Sequence, residues 1–327
     1  MTNHDPFRTL VLELVLALGM IVCLISAMVL HTGSMPPLVV VESSSMVHEI
    51  EGEIGSIDAG DLILVHDQNP STIVTFAEAT NPEVQRHHGY SQHGLEGDVI
   101  IYEKNGENGT PIIHRAILRA EAALTTLPDR DSDQPCSEGA VYDNMLVGGD
   151  GLAGSCILTW NVPGTNATNV TSITVMFDGV NNGYYDCKRP AHGNVEPYLV
   201  VWDWVPSHEG MLTLGDNNQC SVDQGSEATN GSNGVHGSSG LVGPVRDAWV
   251  VGVAGGEIPW LGTVKLMVGG PSSYGTQDVP SSSFVFLGLL IGSVLILPQG
   301  VEWVFKRWLS NAPEMKLQSA VSAPEEE

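Results

Sequence analysis

Basic residues are scarce in this sequence. Its 327 residues include 13 Lys and Arg against 38 Asp and Glu, a formal net charge of −25. Nucleic acids and anionic lipid headgroups are bound through basic patches, and the chain has few residues from which to build one. The composition therefore argues against nucleic acid as a partner. An acidic balance of this size favours a soluble surface on the part of the chain that faces water.

Cysteine is also sparse, with five residues in the whole chain. No C-x-x-C pair and no paired Cys/His spacing is present, so neither a zinc site nor any other cofactor is predicted. One cysteine, Cys23, lies in a long apolar run. The other four are Cys136, Cys156, Cys187 and Cys220. In an oxidising compartment an even number predicts up to two disulfides, and four cysteines allow three alternative pairings.

Two long apolar runs do not belong to a soluble core. Residues 10–30 are 21 residues with a single charge, Glu13, and about 20 apolar residues suffice to cross a bilayer. A cleaved signal peptide is the alternative, but its apolar region is about 7–15 residues long and ends in a small-x-small site, which "VLHTGSM" does not offer. Residues 284–305 form the second run and stop at two basic residues. We predict two transmembrane helices.

The basic residues that flank these runs predict their orientation. Arg8 precedes the first run, Lys306 and Arg307 follow the second, and no Lys or Arg occurs between the first run and Arg86. By the excess of basic residues on the cytoplasmic side, both termini are expected in the cytoplasm. Residues 31–283 would then lie outside, and they contain 31 Asp and Glu against nine Lys and Arg, a balance of −22.

Short runs rich in Val and Ile, bounded by Gly, Asp, Asn and Pro, dominate this outside segment. Examples are "DLILVHD", "DVIIYEK", "PIIHRAIL" and "YLVVWDWV". The pattern predicts a mainly β fold. The predicted domains are a cytoplasmic N-terminus (1–9), a transmembrane helix (10–30), a β-rich catalytic domain (36–119 plus 198–268), an inserted acidic β-rich subdomain (120–197), a linker (269–283), a second transmembrane helix (284–305) and a cytoplasmic tail (306–327).

A serine, a histidine and two aspartates occur where strand-like runs end or are interrupted. Ser45 follows "PPLVVVES", His114 interrupts "TPIIHRAIL", and Asp216 ends "LTLGDNNQC" with Asp223 seven residues later. A serine becomes a nucleophile only with a neighbouring base and a group that stabilises the oxyanion. Taken singly, each residue is more simply explained as a turn serine, a buried core histidine or a turn aspartate. Spacing alone does not decide between these interpretations.

The order of the motifs resembles that of a known family. "VVVESSSM", "AGDLILVHD", "EGDVIIYEK" with "PIIHRAI", and "LTLGDNN" followed by Asp223 are similar to the motifs of type I signal peptidases, in their archaeal and endoplasmic-reticulum branch. "VVGVAGGEIPWLG", residues 250–262, resembles the stretch that follows in that branch. Together the motifs cover about a third of the chain. They leave residues 67–95 and 120–197 without a counterpart.

The resemblance implies roles for individual residues. It makes Ser45 the nucleophile, His114 the general base where bacterial relatives have a lysine, and Ser43 an oxyanion donor beside the N–H of Ser45. It makes Asp216 and Asp223 the acids that orient or support His114, without deciding which of them matters more. Met46 is a predicted residue of the pocket that selects small substrate side chains.

The sequence also departs from the family pattern S-G-S-M-x-P. Ser44 stands in place of the glycine and His48 in place of the proline, so His48 is a second candidate base. Nearer the membrane, Gly33-Ser34-Met35 with Pro37 matches part of the pattern better, but no Val-rich strand precedes Ser34. Ser45 is therefore the predicted nucleophile.

The expected function is a membrane-anchored serine endopeptidase that removes signal peptides. Its expected partners are signal-peptide-bearing preproteins and the lipid bilayer, with an association with the secretion machinery as a further expectation. Two alternatives stay open: a non-catalytic β-domain that binds secreted chains or partner proteins, and a protease of other specificity on the same scaffold. Cleavage of substrates with and without small residues at positions −1 and −3 would separate the two protease interpretations.

Overall fold

The fold is described from a computed structural model of the chain. It describes residues 6–49, 51–126, 136, 138–143, 155–188, 197–229, 233–269 and 275–310. These described residues form four α-helices: α1 (Pro6–Thr32), α2 (Phe76–Thr80), α3 (Thr263–Val268) and α4 (Ser281–Ser310). The strands are β1 (Gly33–Val40), β2 (Leu62–His66), β3 (Ser91–Gln92), β4 (Leu95–Glu96), β5 (Val99–Tyr102), β6 (Ile112–Thr126), β7 (Val141–Asp143), β8 (Ser155–Asn161), β9 (Ile173–Met176), β10 (Val200–Trp204), β11 (Gly210–Leu214), β12 (His236–Gly237), β13 (Gly240–Leu241) and β14 (Val250–Ile258).

Eight of the strands form one antiparallel sheet, which confirms the prediction of a β-rich fold. The order is β1-β2-β14-β5-β6-β8-β7, with β11 also paired to β6. The runs "DLILVHD", "DVIIYEK" and "PIIHRAIL" form β2, β5 and the start of β6, and their Val and Ile side chains fill the core. β9 pairs with β10 in a small separate sheet.

The structure differs from the predicted domain boundary at residues 119 and 120. That boundary falls inside β6, which runs unbroken through it and pairs first with β5, then with β11 and finally with β8. One core cluster also combines Phe76 and Ile117 from the predicted catalytic domain with Trp160 and Phe177 from the predicted insert. Residues of the two predicted parts therefore share a sheet and a core.

The two apolar runs form helices longer than the predicted spans. α1 has 27 residues and α4 has 30, and at about 1.5 Å per residue each is long enough to cross the roughly 30 Å hydrocarbon layer. Both are apolar enough to do so, over Leu10–Thr32 and Ser281–Trp308. Most of their large apolar side chains are exposed, as expected for helices that face lipid and not a protein core. The predicted bounds, 10–30 and 284–305, lie inside them.

The four cysteines beyond α1 form two disulfides. Cys136 is bonded to Cys156, and Cys187 to Cys220. The second bond joins the predicted insert to the segment that follows β11. Cys23 is a free thiol on α1.

Candidate active site

Ser45 lies in a tight turn that begins shortly after β1. The turn is closed by a hydrogen bond from the Val47 N–H to the Ser44 carbonyl. Asn217 holds it from outside: its N–H donates to the Ser45 carbonyl at 2.7 Å, and its side-chain amide donates to the Ser44 carbonyl at 2.8 Å. The backbone of the serine is therefore fixed by a segment that is remote in sequence.

His114 reaches Ser45 from β6. Along this strand His114 and Arg115 point to opposite faces of the sheet, because successive side chains alternate. The His114 Nε2 lies 3.0 Å from the Ser45 Oγ, and the histidine is 5 % exposed. A serine hydroxyl within hydrogen-bond reach of an imidazole nitrogen is the arrangement needed to activate it as a nucleophile.

Asp223 holds the other side of the histidine ring. Its two oxygens lie 2.8 and 2.7 Å from the His114 Nδ1. Two hydroxyls also donate to the second oxygen, that of Tyr102 at 2.6 Å and that of Thr213 at 2.7 Å. Because three donors converge on one buried carboxyl, Nδ1 carries the ring proton and Nε2 is left to accept one from Ser45.

Tyr102 stays protonated in this arrangement. Its complete burial, together with the negative charge of Asp223, raises the pKa of the phenol well above its usual value. The hydroxyl is therefore a donor over the whole physiological range, and it fixes the carboxylate that orients the base.

The chain reverses between β11 and Asp223, and this reversal sets the position of the acid. Leu214 forms an isolated antiparallel bridge with Val222, and the Asp223 N–H donates to the Thr213 carbonyl at 3.0 Å. β11 itself pairs with β6 next to His114. Asp223 thus reaches His114 because the chain turns back alongside β11, the strand that pairs with β6 next to His114.

The family resemblance allowed either Asp216 or Asp223 to support His114. In the structure, Asp216 contacts other residues. It binds the fully buried Arg115 through both carboxylate oxygens, at 2.9 and 2.7 Å. His48 Nε2 lies 2.9 Å from one of these oxygens, and the Tyr185 hydroxyl donates to the other at 3.0 Å. None of its hydrogen bonds involves His114. Of the two candidate acids, the structure brings Asp223 to the base.

The electrostatics of Asp216 are those of a buried ion pair. Burial by itself opposes ionisation, but the Arg115 guanidinium and the His48 hydrogen bond hold the pKa of Asp216 well below its usual range. The remaining Arg115 donors reach backbone carbonyls of the segment between β3 and β5, including that of Gly97 at 2.8 Å. The Arg115–Asp216 pair therefore connects the turn after β11 with the segment between β3 and β5 and, through His48, with the segment that follows Ser45.

Gly215 packs closely against both His114 and the turn that contains Ser45. A Cβ at this position would lie 2.7 Å from the His114 Nε2 and 2.7 Å from the Ser45 carbonyl oxygen. In a close-packed interior, a Cβ essentially never comes this close to another heavy atom. The glycine before Asp216 is thus required by packing against the nucleophile and the base, and not by its own backbone angles.

A cleft of about 400 Å³ opens beside Ser45 and His114. One wall is the segment from Val40 to Met46, and the other is the segment from Thr110 to His114. Ser43 also lines the cleft, and its Oγ lies 3.3 Å from the Ser45 Oγ. Met46 lines the cleft with only 1 % of its surface exposed, because most of its side chain packs into the core.

The other candidate residues lie apart from this arrangement. His48 is bonded to Asp216, whereas the contact to the Ser45 hydroxyl is made by His114. The Ser34 hydroxyl, in β1, donates to the Pro36 carbonyl. In the described part of the chain no group of three or more His, Cys, Asp or Glu side chains is placed to hold a metal ion.

Sequence reasoning missed several residues that hold the site. These are Tyr102, Thr213, Arg115 and Asn217. All four stand in the motifs that predict the site: Tyr102 in "EGDVIIYEK", Arg115 in "PIIHRAI", and Thr213 and Asn217 in "LTLGDNN". Tyr102 and Thr213 look like ordinary core residues of β-strands, so their residue types do not mark them as part of the site.

Comparison with protein-family models, with curated proteins and with solved structures finds no match to this chain.

Proposed function

We propose that this protein is a membrane-anchored serine endopeptidase that removes N-terminal signal peptides from exported preproteins. The observation that carries the proposal is the continuous chain of contacts from the Ser45 Oγ through His114 to Asp223, with distances of 3.0 and 2.7 Å, at the edge of an open cleft. A binding module needs no such alignment. Nucleophile, base and orienting acid are what amide hydrolysis needs.

In this mechanism Ser45 attacks the scissile carbonyl carbon while His114 Nε2 takes the hydroxyl proton. Asp223 accepts from Nδ1–H and stabilises the imidazolium that forms. When the tetrahedral intermediate collapses, the C–N bond breaks and His114 passes the proton to the leaving amine. Water then repeats the sequence on the acyl-enzyme, with His114 again as base, and regenerates Ser45.

The oxyanion would be stabilised by the Ser45 N–H and the Ser43 hydroxyl. Among the described residues no backbone carbonyl accepts from the Ser45 N–H, so this donor is available to the substrate. The Ser43 hydroxyl adjoins the nucleophile on the same wall of the cleft. Each such donor is worth about 3 kcal/mol of activation free energy in a comparable hydrolase.

The chain length between the first apolar helix and the nucleophile supports a substrate that emerges from the membrane. α1 ends at Thr32, and Ser45 follows 13 residues later. Even fully extended, this segment spans at most about 45 Å, so the cleft stays near the bilayer. With both termini in the cytoplasm the cleft would face the outside, where a translocated preprotein meets it. Small apolar pockets would select small residues at positions −1 and −3.

The test is cleavage of a preprotein by the purified full-length protein in detergent. Wild type is compared with Ser45→Ala, His114→Ala and, as a matched control, Ser34→Ala. We expect activity to fall to background in the first two variants and to persist in the third. A second preprotein with bulky residues at −1 and −3 should resist cleavage.

Each contrary result has a distinct meaning. No cleavage of several preproteins by well-folded wild type would contradict the proposal and favour the non-catalytic binding domain. Equal cleavage of the bulky-residue preprotein would support a protease of other specificity on this scaffold.

A further inference from the structure

The cleft beside Ser45 contains a cation that has no ion-pair partner among the described residues. Its lining includes two side chains that are formally charged, Glu42 on one wall and Lys104 near the other. The Glu42 carboxylate is already paired, with the Lys265 ammonium at 2.9 Å. No ion pair of the described residues involves Lys104. The unpaired charge of this cleft is therefore positive.

The carboxylate of Glu107, three residues after Lys104, is occupied elsewhere. Glu107 accepts hydrogen bonds from the N–H groups of Ser238 and Ser239, at 2.7 and 2.8 Å. It therefore holds a neighbouring turn, and among the described residues it forms no ion pair with Lys104. In a protein with a net charge of −25, the Lys104 ammonium is a cation in the lining of the cleft that has no ion-pair partner among the described residues. The chemical group that it attracts is a carboxylate.

Strand register gives the distance between Lys104 and the reacting bond. Ile100 of β5 lies opposite His114 of β6, and Tyr102 lies opposite Ile112. β5 and its register end at Tyr102. Lys104 lies two residues further on, at the start of a short 3-10 helix, and thus at most four residues beyond the level of the base. A strand and an extended peptide both rise about 3.3 Å per residue, so an extended substrate in the cleft would bring a residue about four positions from its scissile bond to Lys104.

Lys104 is not a second base for Ser45. The Ser45 hydroxyl is bonded to His114, and the backbone of Lys104 lies beyond the end of β5, at most about 13 Å from that level. A lysine at this distance contacts a part of the substrate remote from the scissile bond. It can therefore change which substrates are preferred without taking part in bond cleavage.

We propose that Lys104 is a specificity-determining residue that favours substrates with an acidic side chain about four residues from the scissile bond. The proposal rests on the proposed endopeptidase function of the same cleft. It adds a charge preference that the small apolar pockets at −1 and −3 do not supply.

The experiment uses full-length protein in detergent and a set of fluorogenic peptides with one common cleavage site. Glu, Gln or Lys is placed in turn at the third, fourth and fifth positions on each side of the scissile bond. Wild type, Lys104→Gln and Lys104→Glu are compared, with Lys188→Gln as a matched control, because Lys188 is exposed and lies outside the cleft. Binding of the same peptides to Ser45→Ala and to Ser45→Ala/Lys104→Glu is measured by fluorescence anisotropy.

For wild type we expect kcat/KM to be about 1.5-fold to fivefold higher for Glu than for Gln at one of these positions, the range of a single solvent-accessible ion pair. The preference should disappear in Lys104→Gln, reverse to Lys in Lys104→Glu, stay unchanged in Lys188→Gln and weaken in 1 M KCl. The same preference should appear in the binding of peptides to Ser45→Ala.

Cleavage with no dependence on peptide charge in any variant would overturn the role of Lys104 and leave the endopeptidase proposal standing. A preference that persists in Lys104→Gln would overturn it as well. Binding with a preference that reverses in Ser45→Ala/Lys104→Glu, but no cleavage by wild type, would support the charge selection and contradict the endopeptidase proposal.

Discussion

Replacing Asp223 by Asn keeps the size of the side chain but turns one of its two oxygens into a donor. Oδ2 accepts from Tyr102 and Thr213 and also lies 2.7 Å from the His114 Nδ1, whereas Oδ1 contacts only the His114 Nδ1, at 2.8 Å. The amide oxygen of the variant will therefore take the Oδ2 position and keep both hydroxyl bonds. Its NH2 group then takes the Oδ1 position, which is 2.8 Å from Nδ1 in the wild type. Two N–H donors cannot face each other at that distance, so the ring tautomer that has its proton on Nε2 is favoured. That tautomer cannot accept the proton of Ser45.

The expected result is a fall in kcat of about 10⁴-fold, the size of the effect of such a tautomer change in a comparable triad. This corresponds to about 5.5 kcal/mol of activation free energy. KM should change little, because Asp223 is fully buried and does not touch the cleft. The assay is steady-state cleavage of a fluorogenic peptide, with circular dichroism and thermal unfolding to show that the variant is folded.

Asp216→Asn is the informative comparison. It leaves all contacts of His114 intact but removes the counter-charge of Arg115, whose guanidinium is completely buried. Breaking a buried pair in this way costs about 3–5 kcal/mol of stability. We expect a lower free energy of unfolding and a much smaller loss of kcat per folded molecule than in Asp223→Asn. If both folded variants lost kcat equally, the assignment of Asp223 as the orienting acid would be refuted.

Two further changes test the packing and the electrostatics around the site. Gly215→Ala should lower kcat by about 10²-fold, because the new methyl group displaces the nucleophile turn from the base by a fraction of an ångström. Gly256→Ala, whose Cβ would meet only the end of a leucine side chain at 3.7 Å, should stay active; a fully active Gly215→Ala enzyme would contradict the close approach of the loops at Gly215. Burial, reinforced by neighbouring carboxylates, raises the pKa of Asp58 from 3.8 to about 7. A carboxyl whose pKa is higher in the folded state contributes stability fully below pH ~4 and loses it as pH rises through 7. Asp58→Asn should therefore raise the free energy of unfolding by about 2–4 kcal/mol at pH 8 and change it little at pH 4. The measurement is urea denaturation with the exposed Asp67→Asn as control, and a difference that is the same at both pH values would disprove the shift.

The sequence predicted the β-rich fold and the two apolar helices because their signals are local. A run such as Leu62–His66 is apolar, β-branched and bounded by polar turn residues, so a few neighbouring positions suffice to recognise it as a strand. The helices are recognised by length and composition in the same way. The domain boundary near residue 120 could not be predicted, because β6 continues through it by pairing with β8, a later strand that the local pattern around residue 120 does not identify as its partner.

By itself, the sequence identified the candidate residues: the serine at the end of an apolar strand, the histidine inside another, two aspartates near a turn and four cysteines beyond the first helix. Only the tertiary structure decided how they are used. The pairing of Cys187 with Cys220, and the choice of Asp223 over Asp216 at His114, depend on which distant strands lie side by side. The physical reason is that a carboxylate orients a base over about 3 Å or less, and such a distance is fixed by chain reversal and strand pairing, which residue spacing along the sequence does not encode.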